Sequence, residues 1–191
     1  MTQTTEVPQQ ELTGDYDIDP AHSRIGFVAR HAMVSKVRGY FRDYQGRAHL
    51  DFTDPTKSSA ELTVDIASID TGNTDRDAHL RANDFFDAQN HPQMTFRSTK
   101  IEIQGDDCYR MTGDLTLKGL KRPVAIDWEY LGSAVDPFGN TRVGFSGRST
   151  LNRRDWGVEW NAPLEAGGVL VGDKVQLDLD VSAIKASSTT D

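Results

Sequence analysis

Apolar residues recur at every second position along most of this chain, and this period of two constrains the fold more than any other feature. Leu62, Val64 and Ile66 alternate with polar residues, and Leu177 and Leu179 do the same near the C-terminus. Successive side chains of a β-strand point to opposite faces with this period. The sequence therefore predicts about eight or nine strands, each with one apolar and one polar face.

Short turn sequences separate the predicted strands. Asp54-Pro55, residues 105–107 and residues 137–140 carry the Gly, Pro, Asn and Asp that turns favour. Strands joined this closely pair antiparallel, and a sheet of so many strands closes into a barrel or folds into a sandwich. Segments 58–67 and 108–117 are long, and a closed barrel of about eight strands is wide enough for a small ligand. Spacing alone leaves barrel and sandwich open.

Length and composition indicate one globular domain. We expect it to span residues 15–185 of the 191, with flexible polar ends at 1–14 and 186–191. A net charge of -8 argues against a partner that needs a basic face, such as nucleic acid or an anionic membrane. Cys108 is the single cysteine and predicts no internal disulfide. With no secretory signal and no apolar run of membrane-spanning length, the prediction is a cytoplasmic protein without stable membrane insertion.

The stretch Asp70–Asp87 contains two sequence patterns that resemble functional sites, but neither pattern is complete. Residues 70–72 read Asp-Thr-Gly, but an aspartic-protease site needs two facing carboxylates and the chain has one such triplet. Residues 73–77 alternate like the start of a calcium loop. The position that requires Gly is Ala78, and the position that requires a bidentate Glu is Asp84. Neither a protease nor a calcium site is predicted.

A short helix over residues 75–83 explains the same stretch better. Thr74 and Asp77 have capping-box spacing, and acidic residues occupy the first turn. Four apolar residues fall on one helical stripe: Ala78, Ala82, Phe85 and Phe86. Leu80 points away from that stripe. This helix either covers a barrel mouth or is a plug without function.

The polar residues give few signals for catalysis or metal binding. No histidine has the spacing of a zinc site, and neither a P-loop nor a Gly-x-Ser-x-Gly nucleophile is present. His31 continues the face of Phe27 and Ala29, so it is expected to point inward near a barrel end and to donate a hydrogen bond to a ligand. Residues 152–156 are either a small anion site or a solvated turn.

Several motifs in order along the chain resemble the YceI-like family. They are Tyr16–Phe27, His31, Val37–Phe41, Ser68–Gly72, Arg76–Leu80, Asp84–Asp87, His91–Phe96, Gly113–Gly119 and Arg154–Gly157. The resemblance runs from about Tyr16 to Ile184. It implies a lipocalin-like antiparallel barrel whose interior holds a polyisoprenoid or a similar amphiphile, such as a quinone or a prenyl pyrophosphate.

We therefore expect a non-catalytic protein that binds or carries a long apolar amphiphile in the barrel interior. Each buried methylene contributes about 0.8 kcal/mol, so even ten of them offset much of the cost of association. The predicted lining is Phe27, Ala29, His31, Met33, Val34, Val37, Phe41, Phe85, Phe86, Met94, Phe96, Leu115, Leu117, Phe145 and Trp156. The candidates for contact with a polar head are His31, Arg76 and Arg154.

Other readings of the same residues stay open. A barrel packed solid gives nearly the same sequence pattern and favours an adaptor without a ligand. An enzyme acting on a lipid-like substrate requires a titratable pair within hydrogen-bond reach inside the cavity, with His31 or His79 as its histidine. The expected partner is a small lipid ligand and not nucleic acid. No cofactor or metal is expected, and a homodimer is an open option.

Overall fold

The structure, a computed structural model, describes residues 7–187 of the chain. Its strands are β1 (Gly14–Ile18), β2 (Arg24–His31), β3 (Ser35–Phe41), β4 (Tyr44–Leu50), β5 (Ser59–Asp65), β6 (Ile69–Asp70), β7 (Gln93–Gly105), β8 (Cys108–Leu117), β9 (Leu120–Val135), β10 (Thr141–Asn152) and β11 (Val171–Lys185). Its helices are α1 (Gln9–Leu12) and α2 (Thr74–Arg81), with 3₁₀ turns at Pro20–His22, Pro55–Lys57, Ile66–Ser68 and Arg153–Trp156. Neither α-helix within residues 7–187 has the length and apolar composition of a membrane-crossing segment.

Eight of the strands close an antiparallel barrel. Their order around the ring is β1, β4, β5, β7, β8, β9, β10 and β11, and β11 pairs with β1 to complete it. Tyr16 of β1, for example, lies opposite both Lys185 of β11 and Ala48 of β4. Closure leaves the ring without a free edge. The prediction of an antiparallel barrel of about eight strands is confirmed, and the sandwich is not formed.

The short strands β2, β3 and β6 extend the wall of this ring. β1 pairs with residues Ala183 to Lys185 of β11, whereas β2 pairs with residues Val171 to Asp180 of the same strand. β3 and β6 continue outward from β2. The barrel then has two distinguishable ends. The helix end is where β8 ends and β11 begins, and the terminal end is where β1 begins and β11 ends.

Helix α2 confirms the predicted short helix but begins differently from the prediction. Its N-cap is Asn73, whose side chain accepts a hydrogen bond of 2.9 Å from the backbone N–H of Arg76. Thr74 is the first helical residue and caps nothing. Asp77 is buried and turns back to Thr71, accepting from its backbone N–H at 2.9 Å and from its hydroxyl at 2.5 Å. The Asp-Thr-Gly turn is thereby tied to the helix.

The apolar face of α2 is also not the predicted one. Ala78 and Ala82 are exposed, whereas Leu80 packs against the main core. Phe85 and Phe86, in the turn after the helix, reach the same core. Because helix termination at Arg81 changes the direction of the chain, helical spacing does not relate the two phenylalanines to the alanines.

Part of the N-terminal segment that the sequence predicts to be flexible forms helix α1 and packs against the barrel. Leu12 ends α1 with 3% of its surface exposed and packs with Tyr16, Val143 and Ala183 at the terminal end. The Tyr16 hydroxyl donates to the Leu12 carbonyl oxygen at 2.5 Å. Val7 packs against the same cluster, the Thr13 hydroxyl oxygen accepts from the Phe52 backbone N–H at 3.0 Å, and Lys185 donates to the Glu11 carbonyl oxygen, so several contacts hold a segment whose composition is polar. Residues 1–6 and 188–191 lie outside the described residues.

Candidate ligand-binding site

The barrel contains an internal cavity of about 270 Å³ toward the helix end. Its lining is apolar except for a few residues. Arg47 and Glu61 border it, but their side chains are 80% and 56% exposed, so their charges lie outside the barrel. Leu80, Phe85 and Phe86 of the α2 segment contribute to the lining, so the helix segment helps to cover the helix end. The interior is open rather than packed solid.

Most of the predicted lining residues face this cavity. Ten of them line it: Phe27, Ala29, Phe41, Phe85, Phe86, Met94, Phe96, Leu115, Leu117 and Trp156. The alternating face of each strand brings them together from distant parts of the chain. The Trp156 indole N–H donates to the Leu115 carbonyl oxygen at 3.0 Å, which fixes the ring in the wall.

The predicted residues around the β2–β3 turn do not line the cavity. Met33 and Val34 are 59% and 86% exposed, and His31 is also exposed. Ala32 and Met33 have φ values of 50° and 64°, which form a tight turn and interrupt strand alternation. The prediction that the inward face of β2 continues through its last residue, His31, and into the turn was therefore wrong. Val37, in β3, is half-buried and lies outside the lining.

The three candidates for a polar head are not brought together. The Arg76 guanidinium is hydrogen-bonded to Thr71: its Nε donates to Oγ1 at 2.7 Å and its Nη2 donates to the carbonyl oxygen at 2.8 Å. Arg154 pairs with Asp173, with Nε and Oδ1 2.9 Å apart. His31 lies exposed at the end of β2. None of these side chains borders the cavity.

Arg153 borders the cavity and, unlike Arg47 and Glu61, is itself buried. The sequence pattern does not distinguish it from its neighbour Arg154. The Arg153 guanidinium is buried among backbone carbonyls, and the burial lowers its pKa. It donates to the carbonyl oxygens of Gly172 (2.9 Å), Val158 (2.7 Å), Trp160 (3.0 Å) and Val171 (3.3 Å) and lies 3.5 Å from the carboxylate of Asp173. With its N–H groups engaged in this way, Arg153 ties segment 157–172 to the barrel.

Three aromatic rings of the lining rest on glycines of the neighbouring strand. The pairs are Phe27 on Gly39, Phe96 on Gly113 and Trp128 on Gly147. A Cβ added to these glycines would come within 2.9, 2.7 and 2.6 Å, respectively, of a ring carbon. Because the glycines carry no side chain, the rings lie close to the wall and leave the barrel axis free. These pairs explain how a barrel rich in large side chains keeps an open interior.

A second cavity of about 140 Å³ lies toward the terminal end. Phe145, predicted to face the interior, lines this second cavity and not the first. The two cavities share Ala48, Ala60, Met111, Trp128, Val181 and Ala183. Trp128 is the largest of the shared residues and stands at the junction. Trp128 stands two residues after Ile126, which also lines the first cavity, so the period of two along β9 indicates its inward position.

A histidine–carboxylate pair lies at the helix end, outside the cavity lining. His79 Nε2 is 2.8 Å from Asp84 Oδ2, and the two side chains are 40% and 46% exposed. The His79 ring packs edge-on against Phe85 and Trp160, with centroids 5.0 and 4.7 Å away. The pair therefore sits on the outer side of the aromatic residues that cover this end.

Fold and cavity together define a closed antiparallel β-barrel with an apolar interior. The family model described as the YceI-like domain matches residues 16–183. A UPF0312 protein of Ectopseudomonas mendocina is 36% identical over 151 residues, which cover 78% of this chain and 79% of that protein. The chain belongs to the YceI-like family, as its motifs predict.

Solved structures share the same fold. BcnA of Burkholderia cenocepacia superposes with a TM-score of 0.77 at 26% identity, covering 86% of this chain and 98% of BcnA. A domain of Saccharophagus degradans, described as a polyisoprenoid binding domain, superposes with a TM-score of 0.65 over 90% of this chain and 98% of that domain. At 14% identity, this second likeness concerns the fold alone.

Proposed function

We propose that this protein binds a long apolar molecule of the polyisoprenoid or lipid class and holds it inside the barrel, out of water. The observation that carries the proposal is the 270 Å³ apolar cavity, continued by a second cavity of 140 Å³. An apolar cavity of roughly 150 Å³ is enough to bind benzene, and small-molecule sites usually span about 300–1,000 Å³. The two cavities together suit a chain-like ligand.

Burial of the ligand's apolar surface supplies the binding free energy. At about 0.8 kcal/mol per buried methylene, a ten-carbon chain gains about 8 kcal/mol before the costs of association and chain ordering. The affinity is then moderate, and different chains of similar length and width are accepted. The buried donors of Arg153 are engaged with backbone carbonyls, so a charged head remains outside the cavity.

A binding role without catalysis is consistent with where the titratable groups lie relative to the cavity. Within residues 7–187, the cavity lining holds no histidine and no cysteine. The His79–Asp84 pair is within hydrogen-bond reach but lies outside that lining. A general acid or base must reach the reacting atoms directly or through one water. The description of the Saccharophagus degradans domain as polyisoprenoid binding points in the same direction.

Native mass spectrometry of the purified protein tests the proposal. We expect a population heavier than the polypeptide, whose extra mass leaves on activation and is identified as lipid after solvent extraction. A single homogeneous polypeptide mass that stays unchanged after incubation with prenyl alcohols would contradict the proposal. The incubation distinguishes an empty carrier from a protein without a binding site.

Two variants and a matched control test whether the ligand lies in the cavity. Phe27→Asp puts a charge into the lining, and Ala29→Phe fills the space without adding charge; both are expected to abolish lipid uptake. Phe138→Asp is the control, because Phe138 is 87% exposed in the β9–β10 turn. Far-ultraviolet circular dichroism verifies the barrel in each variant. Uptake that survives Ala29→Phe in a folded protein would place the ligand elsewhere.

A further inference from the structure

The β2–β3 turn presents apolar side chains to water at the helix end of the barrel. Met33 and Val34 are 59% and 86% exposed. Ala32 and Met33 have left-handed φ values of 50° and 64°, which Gly and Asn adopt more readily. The Ala32 backbone N–H donates to the Leu170 carbonyl oxygen at 2.7 Å, which holds the turn against the chain that precedes β11. Exposed apolar residues in this conformation do not stabilise the isolated protein, so the turn is suited to a partner that covers it.

A second apolar segment lies beside this turn. The Met33 side chain lies over Gly168, in the space that a Cβ at residue 168 would take. Val169, the next residue, is 42% exposed. Residues 32–34 and 163–169 therefore form one surface at the helix end, the apolar tip.

Basic side chains flank the apolar tip. Arg30 of β2 lies directly opposite Lys36 of β3, and both are exposed. Like charges at directly opposite positions of an antiparallel pair are destabilising. Within residues 7–187, neither of them, nor Arg38 two residues further along β3, forms an ion pair. The three cations are therefore available to an anionic partner.

The distribution of charge along the sequence isolates this surface. Residues 20–42 contain no Asp and no Glu, although the whole chain carries a net charge of -8. Glu165 is the one carboxylate of residues 161–170. The net charge of the whole chain therefore conceals a basic surface at the helix end.

We propose that the apolar tip docks this protein on an anionic lipid bilayer, with the flanking cations facing the phosphate groups and Met33 and Val34 entering below the headgroups. Lys and Arg attract anionic lipids, and exposed apolar side chains next to them partition into the interface. Ala29 and Val171, beside the tip, line the first cavity, so docking brings the cavity close to the bilayer. This inference rests on the proposed function, because the bilayer is where the barrel would take up or release its lipid.

Vesicle co-sedimentation tests the docking. The full chain is mixed with vesicles of phosphatidylcholine that contain about 30% phosphatidylglycerol, or none, at about 0.05 M and about 0.5 M NaCl. We expect binding to the anionic vesicles at low salt, little binding to the neutral vesicles, and a strong loss at high salt because salt screens the charges. Equal binding to both compositions, or none to the anionic vesicles, would overturn the inference.

Paired charge substitutions test whether this surface makes the contact. Arg30→Gln with Lys36→Gln should weaken binding to the anionic vesicles about twentyfold, since each cation near such a surface contributes about fivefold. The thermal midpoint should stay unchanged or rise, because a like-charge contact is removed. Lys100→Gln with Arg110→Gln, in β7 and β8, is the control with the same change in net charge and should change binding less than twofold. Equal weakening in both double variants would show that net charge, and not the tip, governs binding.

A third double variant tests the apolar contact. Met33→Asn with Val34→Ser should weaken vesicle binding at least severalfold at low salt, and Asn suits the left-handed backbone at residue 33. Phe138→Asn, in the exposed β9–β10 turn at the terminal end, is the control and should bind like the wild type. Unchanged vesicle binding after loss of the two apolar side chains would contradict their insertion. A wild-type dimer that these substitutions dissociate in sedimentation velocity, without vesicle binding, would assign the tip to a second copy of the chain and overturn the proposal.

Uptake of geranylgeraniol separates this inference from the proposed function. Native mass spectrometry measures uptake from solution, which needs only the cavity, and uptake from anionic vesicles, which also needs the docking surface. We expect the Arg30→Gln and Lys36→Gln double variant to match the wild type from solution and to load more slowly from vesicles. Equal rates from vesicles would overturn the docking role and leave lipid binding intact. A wild-type protein that takes up none from either source would contradict the proposed function and the loading role of the tip with it.

Discussion

Trp128 of β9 lies directly opposite Gly147 of β10, and its indole ring occupies the space that a side chain at residue 147 would take. A Cβ on Gly147 would lie 2.6 Å from Cε3 and from Cζ3 of the ring, which is closer than real Cβ contacts. All three near atoms belong to the Trp128 side chain and none to the backbone. The glycine therefore sets how far the ring stands from the barrel axis.

Gly147→Ala is expected to push the Trp128 ring into the junction of the cavities. Overpacking of this kind costs about 1–3 kcal/mol in free energy of unfolding, and the displaced ring obstructs the path between the cavities. We expect a lower midpoint of urea unfolding and at least a several-fold loss of lipid uptake. Gly144→Ala is the control on the same strand, because its added Cβ meets Leu131 at an ordinary 3.7 Å. Equal effects of the two substitutions would show that the ring contact does not matter.

Arg142 joins two carboxylates near the terminal end, and its removal should change how stability depends on pH. Its Nη1 lies 2.6 Å from Asp19 Oδ2 and its Nε 2.8 Å from Asp136 Oδ2, and these hydrogen bonds lower the pKa of both aspartates. A carboxylate with a lowered folded-state pKa stabilises the fold above its unfolded pKa of about 3.9 and loses this contribution as the pH falls through the folded value.

Arg142→Met should therefore lower the free energy of unfolding most at neutral pH, with the difference from wild type shrinking as the pH falls below about 4. Urea unfolding between pH 7 and pH 2.5 measures this. Arg110→Met, which removes a more exposed pair with Asp127, is expected to have a smaller effect. A difference that stays constant with pH would mean that Arg142 acts through packing rather than through its ion pairs.

Arg153→Lys is expected to loosen segment 157–172. A lysine ammonium has three donors on one atom and cannot reproduce the planar arrangement that serves four carbonyls, so buried acceptors lose their partners. We expect a loss of about 3 kcal/mol in free energy of unfolding, together with faster proteolysis within residues 157–170. Arg154→Lys is the neighbouring control. The Arg154 side chain is 48% exposed, and a lysine at this position can still pair with Asp173. Similar losses in both variants would refute the assignment of the anchor to Arg153.

The strands and much of the lining could be predicted from sequence because both depend on a local period of two. Even where the alternation of β7 slips by one residue between Phe96 and Ile101, the cause is local: the register shifts between Ser98 and Lys100, where β7 pairs with β8. Residues such as Leu115 and Leu117 then face the cavity simply because they alternate on a regular strand. Local periodicity carries this information without knowledge of the partner strands.

The remaining features depend on contacts between distant residues. Whether a ring such as Phe27 fills the interior or lies along the wall depends on Gly39 standing opposite it, which requires the strand register. Arg153 and Arg154 are adjacent and chemically identical, and only the path of segment 157–172 decides which one is buried. The turn at Met33 and the end of α2 at Arg81 interrupt the periods from which inward faces were extrapolated.

His79 and Leu80 are consecutive residues of α2, and substitutions at the two positions distinguish a binding role from a catalytic one. Leu80 lines the cavity, whereas His79 is hydrogen-bonded to Asp84 outside it. Under the proposed function, His79→Gln combined with Asp84→Asn should leave the amount and the identity of bound lipid unchanged, because no atom of the pair contacts the ligand. Leu80→Asp, one position along the helix, should abolish lipid binding.

The expected change in free energy of unfolding for the double variant is about 1 kcal/mol or less, since an exposed ion pair contributes little. Mass spectrometry of lipid extracted from equal amounts of each folded variant measures the outcome. An enzyme using His79 would instead accumulate unconverted substrate in the double variant, so that the extracted lipid would differ in mass from the wild-type lipid. Such a mass difference would contradict the carrier role even if the amount bound were unchanged, because a protein that only stores its ligand returns the molecule it took up.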